Sequence, residues 1–228
     1  MLSVVLAAYN GGKFITEQLN SILSQLGDGD EVIISDDKPD GDTFAAIEEI
    51  INSDSRVKYT EGPGRGVIAN FEYGIGLAKG DYIFLSDQDD LWLDGNVQAV
   101  VKEFDSGASV VMHNAIVADG ELNPTGETTF EINSTRTGFV KNFIKNSYQG
   151  SCMAFSADLK QYILPFPDGI PMHDQWIGLV GERHGGIRLI EKPYLIYRRH
   201  GGNLSGNGSS LGQKIQWRIN LLRCFLRK

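Results

Sequence analysis

Ser86-Asp87-Gln88-Asp89-Asp90-Leu91-Trp92 places three carboxylates within four positions, directly behind an apolar run, Tyr82-Ile83-Phe84-Leu85. Carboxylates that close repel one another, and a nearby cation is the usual offset. The pattern points to a hard divalent ion, since Mg²⁺ binds through one or two carboxylates and completes its shell with water and substrate phosphates. A solvated, Asp-rich turn competes with this reading for any short acidic run. The strand in front and the tryptophan behind favour a built site.

Several other signatures are excluded. No glycine cluster matches GxGxxG, and the chain holds no Walker A lysine motif, no HExxH and no GxSxG. An EF-hand loop starting at Asp87 would need an oxygen ligand at Leu91. Dinucleotide oxidoreductases and phosphate-loop ATPases are therefore set aside.

The elements that must position the acidic run alternate between two periods. Leu2–Ala8 reads as a buried strand, and Phe14, Leu19, Ile22, Leu23 and Leu26 then recur at helical spacing. Glu31–Ser35 is a second strand ending at Asp36-Asp37, and a helix is expected over Thr43–Asn52. Val57–Thr60, a helix over Ile68–Ala78 and the strand Tyr82–Leu85 complete a βαβαβαβ order. Such an order implies a mostly parallel sheet flanked by helices. Ligands of such sheets bind outside the carboxyl ends of the strands, where Tyr9-Asn10, Asp36-Asp37 and Asp87–Asp90 all fall.

The second half is less regular. Ala108–His113 and Gly150–Phe155 read as strands, the polar stretch Asp119–Arg136 as a flexible loop, and Asp174–Val180 as the start of a helix. Arg188–Tyr197 reads as extended and broken at Pro193, Gly201–Gly212 as a glycine-serine linker or flap. A last amphipathic helix carries Leu211, Ile215, Ile219, Leu222 and Leu226 at spacings of four and three.

At 228 residues, with 41% hydrophobic and 22% charged side chains, the chain suits one sizeable core. A net charge of -8 argues against nucleic acid as a partner. The charge is uneven: Lys214, Arg218, Arg223, Arg227 and Lys228 crowd into residues 211–228 without a single acid. The tail thus has two readings, an amphipathic helix on an anionic inner leaflet or a helix packed on the core with its arginines solvated. No apolar run nears the ~20 residues that span a bilayer, and Leu2-Ser3-Val4-Val5-Leu6 reads as a strand rather than a signal peptide. Cys152 and Cys224 form neither a zinc nor a disulfide pattern, so reduced thiols and a cytoplasmic setting are expected, peripheral to the inner membrane face if the tail binds there.

The polar strand ends, followed by Ala78-Lys79-Gly80-Asp81 and Ser86–Trp92, resemble the nucleotide-sugar half of family-2 glycosyltransferases. Gly150-Ser151-Cys152-Met153-Ala154-Phe155 is similar to that family's acceptor-side strand, and Met172-His173-Asp174-Gln175-Trp176 to its catalytic-base motif. Tyr197-Arg198-Arg199-His200-Gly201-Gly202-Asn203-Leu204-Ser205-Gly206 resembles the closing segment of members that transfer rhamnose or related hexoses onto bacterial surface polysaccharides.

The resemblance implies a GT-A-like fold, with a catalytic domain over 1–206 and a basic tail over 207–228. Residues 1–106 would form the nucleotide-sugar half and 107–206 the acceptor half. Ala8, Tyr9, Asp37, Arg65, Asp87 and Gln88 would bind the nucleotide sugar, Tyr9 packing on the base, Asp37 taking a hydrogen bond from it and Arg65 meeting the diphosphate. Asp89 and His200 would hold Mg²⁺ or Mn²⁺. Asp174 would be the general base, with Ser151, Cys152, Met153, His173 and Trp176 on the acceptor side. The implied activity is metal-dependent, inverting transfer of a hexose from a nucleoside-diphosphate sugar to a glycan or lipid-linked acceptor. A sugar-phosphate nucleotidyltransferase, with Gly11-Gly12-Lys13 as its glycine loop, and a non-catalytic nucleotide-sugar-binding module remain alternatives.

Overall fold

The computed structural model describes residues 1–202 and 210–227. Its strands are β1 Leu2–Ala8, β2 Glu31–Asp36, β3 Val57–Glu61, β4 Tyr82–Asp87, β5 Leu91–Trp92, β6 Val110–Ala118, β7 Pro124–Thr128, β8 Met153–Ser156 and β9 Ile187–Arg198. The helices are α1 Ile15–Leu23, α2 Thr43–Ser53, α3 Val67–Leu77, α4 Asn96–Asp105, α5 Thr129–Asn133, α6 Phe139–Ile144, α7 Lys160–Ile163, α8 His173–Arg183 and α9 Leu211–Arg227.

The strands form one sheet in the order β3-β2-β1-β4-β8-β6-β9-β5, with β7 paired to β6. The first four strands run parallel, as the alternating order requires. β1 lies in their middle and is buried from Ser3 onward, which suits an unbroken apolar run. α3 covers β1 and β2 with Phe71 and Ile75, and it approaches closely because residue 74 has no side chain. A Cβ at Gly74 would meet Cγ1 of Val5 at 2.5 Å.

Beyond β4 the direction changes. β8 runs antiparallel to both β4 and β6, while β9 is parallel to β6. Thus a strand of the second half joins directly to the parallel N-terminal half. The β6–β9 register shifts around Pro193, where a residue without an N–H interrupts the ladder as expected.

Asp119–Arg136 is not a flexible loop. After a tight turn it forms β7 and α5, the latter opened by a capping box between Thr128 and Glu131. Its polar composition misleads because β7 is a solvated edge. Gly150–Cys152 is a single helical turn, and the strand starts only at Met153. Most of the expected glycine-serine linker, including Asn203–Gly206 of the closing segment, lies outside the described residues.

Candidate active site

The parallel register sets Ala8 opposite Asp36 and Ala7 opposite Asp87. Polar turns remote in sequence therefore open on one cavity of about 920 Å³. Ala8, Tyr9, Asp37, Asp87, Gln88 and Asp89 line it from the sheet edge, His173 and Asp174 from the start of α8.

Tyr9 stands at the rim, 57% exposed. The chain turns sharply behind it, with Asn10 at φ 46°, a left-handed conformation that Asn tolerates. Gln88 is committed to this turn: its amide accepts the Tyr9 N–H at 2.8 Å and donates to the Tyr9 carbonyl at 3.0 Å. Asp37 is similarly occupied. Its two carboxylate oxygens accept the N–H groups of Gly64 and Gly66 at 2.7 and 2.6 Å. Both glycines have positive φ, which suits them to a loop that wraps an aspartate with backbone donors.

Asp174 sits within the first turn of α8, whose N-cap is Met172. Its Oδ1 accepts from the Gln175 N–H at 2.5 Å and from the Asn146 amide at 3.1 Å. Burial pushes its carboxyl up to about 6, and these hydrogen bonds pull in the opposite direction. A carboxyl poised near neutrality on a cavity wall can take a proton from a hydroxyl.

The acidic loop shows the repulsion expected from its sequence. Burial, followed by the charges of Asp89 and Asp174, raises Asp87 to about 7. Among the described residues no group of three or more His, Cys, Asp or Glu is arranged to hold a metal. The donors nevertheless fit Mg²⁺ or Mn²⁺, because Asp87 and Asp89 are hard oxygen ligands facing a cavity where phosphates complete such a shell.

His200 does not line the cavity. Its Nε2 meets Asp89 Oδ2 at 2.8 Å, and its Nδ1 accepts the Gly202 N–H at 3.1 Å. With Nδ1 accepting from Gly202, Nε2 is the nitrogen that faces Asp89, and in this structure His200 holds the Asp89 carboxylate. Beneath the loop, burial drives the Asp90 carboxyl well above the usual range. The Arg198 N–H donates to its Oδ1 at 3.2 Å, while its Oδ2 has no hydrogen-bond partner among the described residues. Arg198 is itself buried, joining Asp89 O at 2.9 Å, Gly120 O at 3.1 Å and Glu17 Oε2 at 2.5 Å. It fastens the end of β9 to the acidic loop. Trp92 packs on Phe84 below, as its position in the motif suggests.

Besides His200, five expected site residues lie elsewhere. Arg65 lines a separate depression with Glu72, Phe166 and Arg223. Ser151 is buried against Asp90 and Gln149, and Cys152 and Met153 belong to the core, where burial raises the Cys152 thiol. Trp176 is fully buried, its Nε1 donating to the Ile163 carbonyl at 3.0 Å. A short motif cannot tell which positions on a helix or strand face inward; the packing of α8 decides it. Trp176→Ala should therefore cost about 3–5 kcal/mol of stability, the usual penalty for truncating a core tryptophan. Urea denaturation reads this, and an unchanged midpoint would contradict the core placement.

His173 does reach the cavity. It stacks on Phe71 with centroids 4.1 Å apart, its ring nitrogens find no partner among the described residues, and burial lowers it to about 3, so it is neutral. The cavity also takes in residues that motif reasoning passed over: Asn146, Tyr148, Gln149, Tyr197 and Arg199. Tyr197 and Arg199 stand inside the closing segment, and that position was the available signal. Asn146 has no sequence pattern of its own. Among the described residues lining the cavity, Arg199 is the one arginine or lysine.

Comparison with known proteins follows the same lines. The sequence profile of "Glycosyl transferase family 2" matches residues 3–163. The chain is 25% identical over 236 residues to a dTDP-rhamnosyl transferase, RfbG, of Shigella flexneri, covering 96% of this chain and 79% of that one. It is 26% identical over 125 residues to a GalNAc(5)-diNAcBac-PP-undecaprenol beta-1,3-glucosyltransferase of Campylobacter jejuni, covering 54% of this chain and 40% of that one. Against several such curated relatives the chain spans only about two fifths of their length. S. aureus TarS, solved with UDP-GlcNAc, superimposes with a TM-score of 0.73 at 17% identity, covering 92% of this chain and 61% of that one. A mannosyltransferase from Pyrobaculum calidifontis, solved with GDP-Man and Mn²⁺, gives 0.64 at 19% identity, covering 99% and 63%. These likenesses establish the GT-A fold, and the profile match, spanning most of the chain, establishes that it belongs to glycosyl transferase family 2.

Proposed function

We propose that this chain transfers a hexose, with rhamnose the leading candidate, from a nucleoside-diphosphate sugar to a glycan or lipid-linked acceptor in cell-surface polysaccharide synthesis. The observation that carries this reading is the sharing of one cavity by the Asp87/Asp89 pair and Asp174. Residues 1–106 supply the donor side and residues 107–206 the acceptor side of one catalytic domain, at the cytoplasmic face of a membrane.

Tyr9 offers its exposed ring to the base. Asp37 shapes the base end through the Gly64–Gly66 loop that it holds. Asp87 and Asp89 would hold Mg²⁺ or Mn²⁺ on the diphosphate, with His200 fixing the Asp89 carboxylate. When bound, the ion supplies Lewis-acid stabilisation of the charge on the departing diphosphate. Asp174, oriented by Asn146, accepts the acceptor hydroxyl's proton as that oxygen bonds to the anomeric carbon. The bond from that carbon to the diphosphate breaks and the nucleoside diphosphate leaves. One displacement inverts the anomeric carbon.

Arg199 takes over the part that Arg65 was expected to play. Its guanidinium is the basic side chain at hand for the diphosphate, and Arg199→Ala is expected to raise the KM for the donor roughly 10- to 100-fold with a smaller change in kcat, in line with ~1.5–3 kcal/mol for a charge-assisted hydrogen bond. Steady-state kinetics with varied donor check this; an unchanged KM would return the role to another residue. Calorimetry with a panel of nucleotide sugars tests the function as a whole. Metal-dependent binding of a thymidine- or uridine-diphosphate hexose is expected, and binding of none would overturn the reading. The support for rhamnose is the near-full-length similarity to a protein named as a dTDP-rhamnosyl transferase.

A further inference from the structure

α9 does not dock through its regular apolar stripe. It packs through Leu221, Cys224 and Phe225, the last lying 5.1 Å from Phe139 of α6 and 4.9 Å from Trp176 of α8 between ring centroids. Ile215, Ile219, Leu222 and Leu226, spaced four, three and four, are left facing out, Leu226 at 77% exposure. On a helix of 3.6 residues per turn, Lys214 and Arg218 border one edge of that stripe and Arg223 the other. α6 lies alongside, tied to α9 where the Arg218 guanidinium donates to the Ile144 carbonyl. It adds exposed Val140, at 68%, and Ile144, together with Lys141 and the following Lys145. Neither helix carries an acid, in a chain whose net charge is -8.

We propose that α6 and α9 together form a docking surface for an anionic lipid bilayer. An apolar centre bordered by basic side chains matches acyl chains flanked by anionic headgroups. A second copy of this chain fits less well, since self-pairing would set one basic border against another. Among the described residues no helix is long and apolar enough to cross a membrane, so α9 would lie in the interface. The surface also borders the site. Asn146, two residues past Ile144, hydrogen-bonds Asp174 at 3.1 Å. A bilayer on this face would bring a lipid-linked acceptor to the base, and to that extent the inference rests on the acceptor class proposed above.

Co-sedimentation of the full chain with phosphatidylcholine vesicles, with and without phosphatidylglycerol, tests it. Binding is expected only to the anionic vesicles and should weaken as salt is raised. Ile219→Ser with Leu222→Ser, and separately Lys214→Gln with Arg223→Gln, should each reduce binding about tenfold or more. All four positions are exposed, so both variants should fold, and an unchanged rate of donor hydrolysis confirms it. No binding to anionic vesicles, or undiminished binding by both variants, would overturn the proposal. So would a dimer in sedimentation that the same substitutions dissolve. Vesicle binding by a chain that neither binds nor hydrolyses a nucleotide sugar would leave the docking surface standing while the proposed function fell.

Discussion

Asp174→Asn is expected to lower kcat by about 10²–10⁴-fold, the usual contribution of a positioned general base. Asparagine preserves the shape and keeps an oxygen for the Gln175 N–H and the Asn146 amide, so the first turn of α8 should stay intact. What it loses is the capacity to accept a proton. Donor affinity by calorimetry should therefore change little, and a comparable loss of donor binding would instead mark Asp174 as structural. The same residue sets a pH dependence. Because its carboxyl is raised to about 6, the protonated, inactive form grows as pH falls through 6. Acceptor transfer should rise with pH through about 6 and then level off. Asn146→Ala removes a hydrogen bond that favours the ionised form, so it should move this limb to higher pH.

Asp89→Ala is expected to lower transfer by about 10²–10³-fold, the scale on which one electrostatic stabiliser of a developing charge acts. Removing divalent metal with EDTA should do the same to the parent chain, and Mn²⁺ or Mg²⁺ should restore activity to the parent but not to the variant. The charge argument gives the reason. Burial, Asp89 and Asp174 all raise Asp87, so the loop is an unbalanced cluster whose repulsion a cation relieves. Activity indifferent to both EDTA and the substitution would remove the metal from the proposal. His200→Ala should produce a milder loss, because His200 orients the Asp89 carboxylate without facing the cavity.

Much of the site could be read from the sequence, for a local reason. Buried parallel strands are unbroken apolar runs, and the first polar residues after them must sit at the carboxyl edge. That rule puts Tyr9, Asp37, Asp87 and Asp89 at one edge without any contact information, and the cavity lies there. The helix expected to start at Asp174 is present and begins one residue earlier, at His173.

Other parts depend on packing between distant segments. Trp176 and Asp174 stand two apart on one helix, yet one is sealed in the core and the other faces the cavity, because α8 lies against α3 on one side and α6 and α7 on another. Arg65 was the cation expected at the site, yet it lines a separate depression, and Arg199, which no expectation named, lines the cavity instead. The pairing of Asn146 with Asp174, 28 residues apart, leaves no periodic trace.

The sequence by itself determined the alternating parallel half, the strand-end carboxylates and the amphipathic last helix, since each follows from an unbroken apolar run or from a period of three to four residues. Only the tertiary structure decided which face of that last helix is buried, which arginine meets the cavity and which residue hydrogen-bonds Asp174. Those outcomes depend on competition among surfaces far apart in the chain, and that competition is resolved only when they pack.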